Sequence, residues 1–437
     1  MKREVYKSLL RWKNSRNRRP LLIRGARQVG KTFIVNEFGQ NEFKSLISLN
    51  FERNPEYKDI FTTLDPIEIK EKIALYIGKS LTSGNTLLFL DEIQECPKAI
   101  MSMRYFYEEM PDVHIIGAGS LLEFSLDAEN FRMPVGRIQY LYMCPLSFSE
   151  FLLAINEEAL LNHIQQLSNI ETLTDTLQNK LTEFVRKYFI IGGMPAVVSE
   201  YIKSHDIIEC QKIQHLIIDT FQSDFAKYAR QSKFKYLRKI FNAVPAMVGN
   251  KFIYSRVDSS TKSRDLKNAL ELLETANIVY KVQRTSGAGL PLKIGVNDRF
   301  FKVIFLDIGL MHAINGIYSD TIKDKDLNAI YKGSVAEQFT GQELIALSNQ
   351  FRKPELYYWA REAKNSNAEI DYLIEKNEVI FPIEIKSGSI GKMKSMNMFL
   401  DKYKIKKGIK LSQARFNNKN RIISIPFFAI EAFLNEE

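Results

Sequence analysis

The chain has 437 residues, of which 45% are hydrophobic and 26% are charged. This length is more than a single hydrophobic core usually spans, so we expect two or three domains. Lys and Arg outnumber Asp and Glu by 61 to 51, a net charge of +10, which favours an anionic partner such as nucleic acid.

The three cysteines, Cys96, Cys144 and Cys210, form no C-x-x-C pair, so neither a disulfide framework nor a structural zinc site is indicated. The first twenty residues are basic but lack the apolar run of a signal peptide, and no stretch of about twenty apolar residues occurs. We therefore expect a cytoplasmic protein that has no membrane partner.

The first motif follows a short apolar strand at residues 21–23 and precedes a helix. It matches the phosphate-binding pattern G-x-x-x-x-G-K-T. Glycines let backbone N–H groups surround a β-phosphate, Lys31 neutralises the β- and γ-phosphates, and the Thr32 hydroxyl holds Mg²⁺. The residues predicted to bind ATP are Gly25, Ala26, Arg27, Gln28, Val29, Gly30, Lys31 and Thr32.

A second buried strand, residues 87–90, ends in Asp91 and Glu92, as expected of a parallel strand with functional groups at its carboxyl end. Asp91 is predicted to coordinate Mg²⁺ through water, and Glu92 to polarise the attacking water. As an alternative, the glycines could form an ordinary turn and the Asp-Glu pair could cap a helix. Because both motifs follow buried strands and occur in the expected order, a site that hydrolyses ATP is favoured.

Polar residues near two further predicted strands are candidates for the same site. Ser120 ends a buried strand and could sense the γ-phosphate, and Arg137 stands just before the next strand. Arg104, Arg132 and Arg137 are candidates for an arginine finger or a phosphate sensor. For any one of the three, an ordinary surface arginine is the better explanation.

The middle of the chain is predicted to be helical, with a break at residues 192–198, and then to have a winged-helix order of helix, strand, loop and strand. Arg264, Lys267 and Asn268 would lie on the exposed face of a recognition helix. Glu271 and Glu274 share that face and would repel phosphates. A packing or partner-binding role for this segment therefore stays open.

Residues 368–388 alternate apolar and polar side chains like a strand hairpin, yet they place charges in a half-buried setting. Asp371 lies in one strand, Glu384 and Lys386 lie in the next, and Glu337 lies on a preceding helix. This is the arrangement of a PD-(D/E)xK nuclease core. Asp371 and Glu384 would bind one or two Mg²⁺ ions, and Glu337 would complete the shell. Lys386 would orient or deprotonate the attacking water.

A solvated hairpin with a chance E-x-K is the alternative explanation, and the basic residues that follow weigh against it. Residues 386–421 hold eleven Lys or Arg residues and one acid, Asp401. A basic run is usually a solvated face, but beside an acid cluster it indicates a track for a phosphate backbone. The segment is predicted to bind nucleic acid.

The motifs GARQVGKT, LLFLDE, GAGS, GGMPAVV and EIDYLI…PIEIKSG occur in this order along the chain. The chain thereby resembles prokaryotic AAA-type ATPases that carry a C-terminal domain of unknown function with a restriction-endonuclease-like core. The resemblance implies ATP binding at the first motif, hydrolysis through Asp91 and Glu92, and a winged helix between the two domains. It also implies a nuclease-like site at Glu337, Asp371, Glu384 and Lys386. Ser120 departs from the Asn found in many relatives of the wider ATPase class.

Together these features predict an α/β protein of four parts. They are a P-loop AAA-type ATPase domain (1–150), a helical region (151–225), a winged-helix-like domain (226–315) and a PD-(D/E)xK nuclease-like domain (316–437). The expected function is ATP hydrolysis that gates an Mg²⁺-dependent nuclease. The alternatives are a nucleotide-switched module that binds DNA, RNA or protein without cleaving, and a protein-remodelling ATPase. A homo-oligomer is also left open.

Overall fold

The computed structural model describes residues 1–119, 136–228, 231–316, 333–361, 368–386, 393–418 and 420–436. Ser120 and Arg132 lie outside these ranges, so their predicted roles stay predictions. Over the described part of the chain, no helix has both the length and the apolar character needed to span a membrane.

The N-terminal part is a parallel sheet flanked by helices. Its strands are β1 (Leu21–Arg24), β2 (Ser45–Asn50), β3 (Thr86–Asp91), β4 (His114–Ala118) and β5 (Gln139–Tyr142). Its helices are α1 (Val5–Lys13), α2 (Lys31–Glu42), α3 (Pro66–Ile77) and α4 (Pro97–Glu109), with short 3₁₀ turns at Pro55–Phe61 and Ile93–Glu95.

The strands lie in the order β2-β3-β4-β1-β5, and every pairing between them is parallel. Both faces of the sheet are covered, because Leu21 and Ile23 of β1 enter one apolar cluster and Leu22 between them enters another. Since parallel strands end at the same edge, β1 and β3 deliver their following loops to one side of the domain.

The middle part is helical. Its helices are α5 (Phe148–Ala154), α6 (Glu158–Ile164), α7 (Leu167–Glu171), α8 (Asp175–Ile191), α9 (Pro195–Ser204), α10 (Ile207–Tyr228), α11 (Gln231–Met247), α12 (Tyr254–Val257) and α13 (Ser263–Thr275). One apolar cluster runs from α1 through these helices into the C-terminal part, so the parts share a core.

The C-terminal part is built on a mixed sheet. Its strands are β6 (Val279–Thr285), β7 (Val296–Phe305), β8 (Leu356–Ala360), β9 (Glu369–Lys376), β10 (Val379–Ile385), β11 (Gly408–Ser412) and β12 (Ile422–Pro426). Its helices are α14 (Ile308–Ile314), α15 (Ser334–Ala346), α16 (Lys394–Tyr403) and α17 (Ile430–Asn435), with 3₁₀ turns at Leu292–Gly295 and Phe427–Ala429.

This sheet has the order β12-β11-β10-β9-β8-β6-β7. The predicted wing, the β6–β7 hairpin, thus forms one end of the sheet, with β6 parallel to β8. The sheet crosses the predicted boundary at residue 315, and a separate winged-helix domain is not confirmed. The local sequence predicts the β6–β7 hairpin but not the strand that pairs with it, because β8 follows about seventy residues later. Arg264, Lys267 and Asn268 on α13 are exposed, as expected.

A buried carboxylate, Asp307, joins the helical part to the C-terminal part. It is 0% exposed and accepts hydrogen bonds from the backbone N–H groups of Gly193 (2.6 Å) and Leu310 (3.0 Å). A side-chain carbon at Gly192 would lie 2.2 Å from its Oδ1, so this residue must be glycine. Burial raises the pKa of Asp307 to about 6. The Gly-Gly break seen in the sequence is therefore the place where the backbone after α8 contacts Asp307.

We expect Asp307→Ala to lower the free energy of unfolding by about 2–4 kcal/mol, because it removes a helix cap and leaves buried N–H donors without an acceptor. The melting temperature, followed by circular dichroism, measures the change. Asp298→Ala is the matched control, because Asp298 is an exposed aspartate on β7. Equal melting temperatures for the two variants would contradict this role for Asp307.

Candidate functional site

The phosphate-binding loop connects β1 to α2 and is shaped by two glycines. A side-chain carbon at Gly25 would lie 2.2 Å from the backbone oxygen of Met143, so only glycine fits beside the end of β5. Gly30 has φ +96°, a left-handed conformation that glycine adopts without strain, and α2 begins directly after it. The loop thus leads its backbone N–H groups into the start of a helix.

Lys31 lies inside the loop and is 8% exposed. Its ammonium donates hydrogen bonds to the backbone oxygens of Gly25 (2.9 Å) and Ala26 (2.8 Å). Burial lowers its pKa to about 8, while the nearby carboxylates of Glu92 and Asp91 act in the opposite direction. The cation is therefore positioned within the loop and has weak carbonyl partners that an anion can replace.

Thr32 and Asp91 meet at the carboxyl edge of the sheet, as predicted. The Thr32 hydroxyl donates to Oδ1 of Asp91 over 3.0 Å, and the Asn50 amide donates to Oδ2 over 2.8 Å. Burial raises the pKa of Asp91, and both hydrogen bonds oppose that rise. Asn50 is an addition to the predicted site. It ends β2 and pairs in register with Asp91.

Glu92 follows Asp91 and has φ +48°, a strained backbone conformation for a residue other than glycine. Its Oε2 accepts a hydrogen bond from the Gln94 amide over 2.7 Å, and burial raises its pKa. A raised pKa makes a carboxylate a better proton acceptor, which suits a general base.

The loop residues Arg27 and Val29 connect the site to other parts of the chain. The Arg27 guanidinium pairs with Asp224 of α10, whose side chain is 8% exposed. The backbone oxygen of Val29 accepts a hydrogen bond from Arg3 over 3.0 Å, and Arg3 also pairs with Glu150. Sequence reasoning missed Asp224 and Arg3, because neither belongs to a local motif.

The remaining loop residues and a neighbouring cavity complete the nucleotide site. Ala26 is buried, and Gln28 has φ +67°. A cavity of about 440 Å³ adjoins the start of α2, between the loop and α9. Gly30, Phe33 and Pro195 are among the residues that line it.

Arg137 is not brought to this site. It precedes β5, whose first residue pairs with the first residue of β1, so it lies at the amino edge of the sheet, opposite the loop. Its side chain pairs with Glu108 (2.7 Å), as does that of Arg104 (3.2 Å). Both arginines are half-exposed surface residues, the alternative considered for them from sequence.

Asp371 and Glu384 are brought together in the C-terminal sheet. The antiparallel register of β9 and β10 pairs Tyr372 with Ile383, which places Asp371 opposite Glu384. Oδ2 of Asp371 accepts a hydrogen bond from the Ile385 backbone N–H (2.8 Å), and Oε1 of Glu384 pairs with Lys386 (2.7 Å). The other oxygen of Glu384 is buried and has no hydrogen bond of good geometry from the described residues, and burial raises the pKa of this residue while the Met396 backbone opposes that rise.

Glu337 of α15 joins this group together with a residue that was not predicted, Lys302 of β7. The Lys302 ammonium lies 3.0 Å from Oε2 of Glu337 and 3.7 Å from Oδ1 of Asp371, and it also pairs with Glu369. Burial, with a smaller contribution from Asp371, raises the pKa of Glu337 to about 8. A lysine inside the apolar run RFFKVIF was the available sequence signal.

Some cations of the basic segment, residues 386–421, are already paired with carboxylates. Three of its described residues pair with carboxylates: Lys386 with Glu384, Arg415 with Asp175, and Arg421 with Asp401. The side chains of Lys404, Lys406 and Lys407 are exposed at the end of α16. They line a cavity of about 680 Å³ beside β10. Lys392 and Lys419 lie outside the described residues.

The state of Lys31 predicts how ATP affinity depends on pH. The free protein loses the Lys31 charge above about pH 8, whereas bound phosphates require the cation, so binding takes up a proton there. Affinity should fall by up to about tenfold for each pH unit above 8. Fluorescence titration with a labelled ATP analogue at pH 7, 8 and 9 measures it. Lys31→Ala should bind no ATP, and a constant affinity between pH 7 and 9 would contradict the assignment.

Family models match three segments of the chain. Residues 17–152 match an AAA domain, residues 182–321 match a domain of unknown function (DUF8612), and residues 332–428 match a domain of unknown function (DUF4143). No curated protein matches the chain.

Solved structures that match the chain include the ORC2 protein of Aeropyrum pernix, at 11% identity and TM-score 0.34, covering 73% of this chain and 92% of that one. The Aeropyrum pernix ORC1 protein in complex with DNA has 12% identity and TM-score 0.28, with coverage of 71% and 90%. RuvB of Thermotoga maritima has 17% identity and TM-score 0.25, with coverage of 64% and 89%. Such low scores support no inference.

The AAA match covers the strand, loop and helix that carry Gly25, Lys31 and Thr32, together with Asp91 and Glu92. Residues 17–152 form a P-loop domain of the AAA ATPase type, followed by two domains of unknown function.

Proposed function

We propose that this protein binds and hydrolyses ATP, and that its nucleotide state controls the engagement of nucleic acid by a nuclease-like C-terminal domain. The observation that carries the proposal is the convergence of Lys31, Thr32, Asp91 and Glu92 at one edge of a parallel sheet. These are the groups that phosphate, Mg²⁺ and an attacking water need.

The residues of the loop fit ATP and Mg²⁺. When bound, Mg²⁺ would neutralise the charge that develops on the β- and γ-phosphates. The Thr32 hydroxyl would hold Mg²⁺ directly and Asp91 would hold it through water, and Lys31 would exchange its backbone partners for phosphate oxygens. Glu92 accepts a proton from the attacking water. The cavity beside Phe33 and Pro195 lies next to the loop and is the place for the nucleoside.

Two routes connect this site to the C-terminal part. In the first, Arg27 of the loop pairs with Asp224 of α10, and α10 packs on α14, the helix that Asp307 caps. In the second, Arg3 bonds to Val29 of the loop and pairs with Glu150 of α5. The backbone N–H of Phe148, at the start of α5, then donates to Glu343 of α15 (2.9 Å). A shift of the loop on nucleotide binding therefore reaches elements that hold the C-terminal sheet.

The order of elements supports a nuclease-like C-terminal fold. Helix α15 is followed by the antiparallel strands β8, β9 and β10, then by α16 and the parallel strand β11. The acids lie on β9 and β10. Lys404, Lys406 and Lys407 offer exposed cations to a phosphate backbone.

A second candidate function is ATP-gated, Mg²⁺-dependent cleavage by Glu337, Asp371, Glu384 and Lys386. The buried Oε2 of Glu384 favours it, because this oxygen has no good hydrogen bond from the described residues and is costly to bury unless a ligand binds it. In the alternative, a binding module that does not cleave, the same acid cluster binds no Mg²⁺.

Glu92→Gln should leave ATP bound but stop its hydrolysis, because the amide still hydrogen-bonds water yet accepts no proton. We expect turnover to fall by at least about a hundredfold, with ATP affinity unchanged. Phosphate release and ATP titration measure the two quantities. Hydrolysis at the wild-type rate would remove Glu92 from the catalytic role.

The same variant tests the switch. With ATP it stays in the bound state, and its affinity for DNA or RNA oligonucleotides should differ by about tenfold from that of the nucleotide-free protein. Equal affinity in both states would contradict nucleotide control.

Replacing Lys404, Lys406 and Lys407 with Gln should weaken nucleic-acid binding equally across sequences and flatten its salt dependence by about two to three units of slope. Fluorescence anisotropy at several salt concentrations measures the slope. The matched control replaces Lys70, Lys79 and Lys98, which are exposed lysines of the ATPase domain. If both triple variants behave like the wild type, the basic segment is a solvated face.

A further inference from the structure

The Lys302 side chain lies at the centre of the C-terminal acid cluster. It is 3% exposed and comes from β7, outside the strands that carry the predicted nuclease residues. Its ammonium contacts carboxylates from α15 and β9, namely Glu337, Glu369 and Asp371. The ring of Tyr358 lies 5.5 Å from it. A buried cation with three acidic partners is a built feature of this site, because an unpaired buried lysine would be too costly to keep.

The walls of this cluster hold Glu337 in place. A side-chain carbon at Gly249, which follows α11, would lie 3.2 Å from its Oε1, so the backbone of the helical part closes over that oxygen. On its other side, Oε2 faces Lys302 at 3.0 Å. Glu337 is therefore held between the helical part and Lys302, with its side chain 16% exposed.

This arrangement does not fit the divalent ion expected at the site. Mg²⁺ needs several oxygens at about 2.0–2.1 Å. Here one oxygen of Asp371 is bonded to the Ile385 N–H, its other oxygen and Glu337 face Lys302, and Glu384 pairs with Lys386. In the described part of the chain, no three His, Cys, Asp or Glu side chains are arranged to hold a metal ion.

The lysine and a metal ion would compete for the same oxygens. The two cations would repel each other strongly at such short range in a buried setting. Without Lys302, three carboxylates would face one another, and like charges at close range favour the uptake of a cation or a proton. Glu384, on the strand next to Asp371, would add a fourth carboxylate, whose Oε2 has no good hydrogen bond from the described residues.

We infer that Lys302 occupies the divalent-cation position of the nuclease-like site, so that the wild-type site takes no Mg²⁺. Its removal leaves Glu337, Glu369 and Asp371 without their shared cation, so that these side chains can rearrange around a divalent ion. The inference rests on the nuclease-like fold within the proposed function. It makes the C-terminal domain a binding module rather than a nuclease.

The test compares Mn²⁺ binding by Lys31→Ala with binding by the double variant Lys31→Ala, Lys302→Met. The Lys31→Ala background weakens nucleotide binding, and no nucleotide is added. Titration calorimetry and the free-Mn²⁺ EPR signal should show binding at least about tenfold tighter in the Met variant. Mn²⁺ should also raise the melting temperature of the Met variant more. Lys302→Arg, which keeps the cation, is the matched control and should behave like the parent.

Two results would overturn the inference: equal Mn²⁺ affinity in parent and Met variant, or no binding by a folded Met variant. If the Met variant does not fold, the test uses the parent, Lys31→Ala, and the double variant that adds Asp371→Asn to it. Mn²⁺ should change the melting temperatures of these two proteins equally. A larger change in the parent would refute the proposal.

Failure here is separable from failure of the proposed function. The nucleotide switch is tested by oligonucleotide affinity in the Glu92→Gln variant, which involves neither Lys302 nor the C-terminal acids.

Discussion

A charged group that leaves water needs a partner, and this constraint organises the protein at three places. In the ATPase domain, Lys31 is held by backbone oxygens of its own loop. Between the helical and C-terminal parts, Asp307 is held by backbone N–H groups. In the C-terminal sheet, Lys302 is held by carboxylates. The first cluster is local to its loop, whereas the clusters at Asp307 and Lys302 tie together elements that are far apart in sequence.

The three clusters differ in how easily an added ligand can replace the partners. The carbonyl oxygens around Lys31 are neutral, so a phosphate, with full negative charge, is a stronger partner for it. The partners of Lys302 already carry charge, and those of Asp307 are fixed parts of helices. Ligand exchange is thus expected at the loop, while the other two clusters act as connections within the fold. This difference fits a protein in which one site changes state and the remainder transmits the change.

The parts of the molecule that sequence predicted well are those whose chemistry is local. The loop from Gly25 to Thr32 and the pair Asp91 and Glu92 are contiguous motifs, and the parallel sheet brings them to one edge as expected. The hairpin containing Asp371 and Glu384 was predicted for the same reason, since its register follows from a short turn.

The parts that sequence missed depend on long-range pairing. Asp224 meets Arg27 from almost two hundred positions away, and nothing near Asp224 marks it as a partner. Lys302 lies on β7, the end strand of the sheet, and β7 packs against α15. This arrangement brings Lys302 to Asp371 of β9. The β6–β7 hairpin has the same local pattern in a wing as in a larger sheet, so only its pairing with β8 separates the two. Arg137 lies at the other edge of the sheet from the loop, because it precedes its strand whereas the loop follows β1.

The continuity of the C-terminal sheet also determines how the chain can be cut for biochemical work. A fragment that begins at residue 316 would lack β6 and β7, so the edge of β8 would expose unpaired backbone groups that favour aggregation. The fragment would also lose Lys302 and leave Glu337, Glu369 and Asp371 without their cation. Metal binding or nuclease activity measured on such a piece would report a site that the intact chain does not present. A C-terminal fragment that keeps the complete sheet and Lys302 must therefore begin before β6, within the helical part.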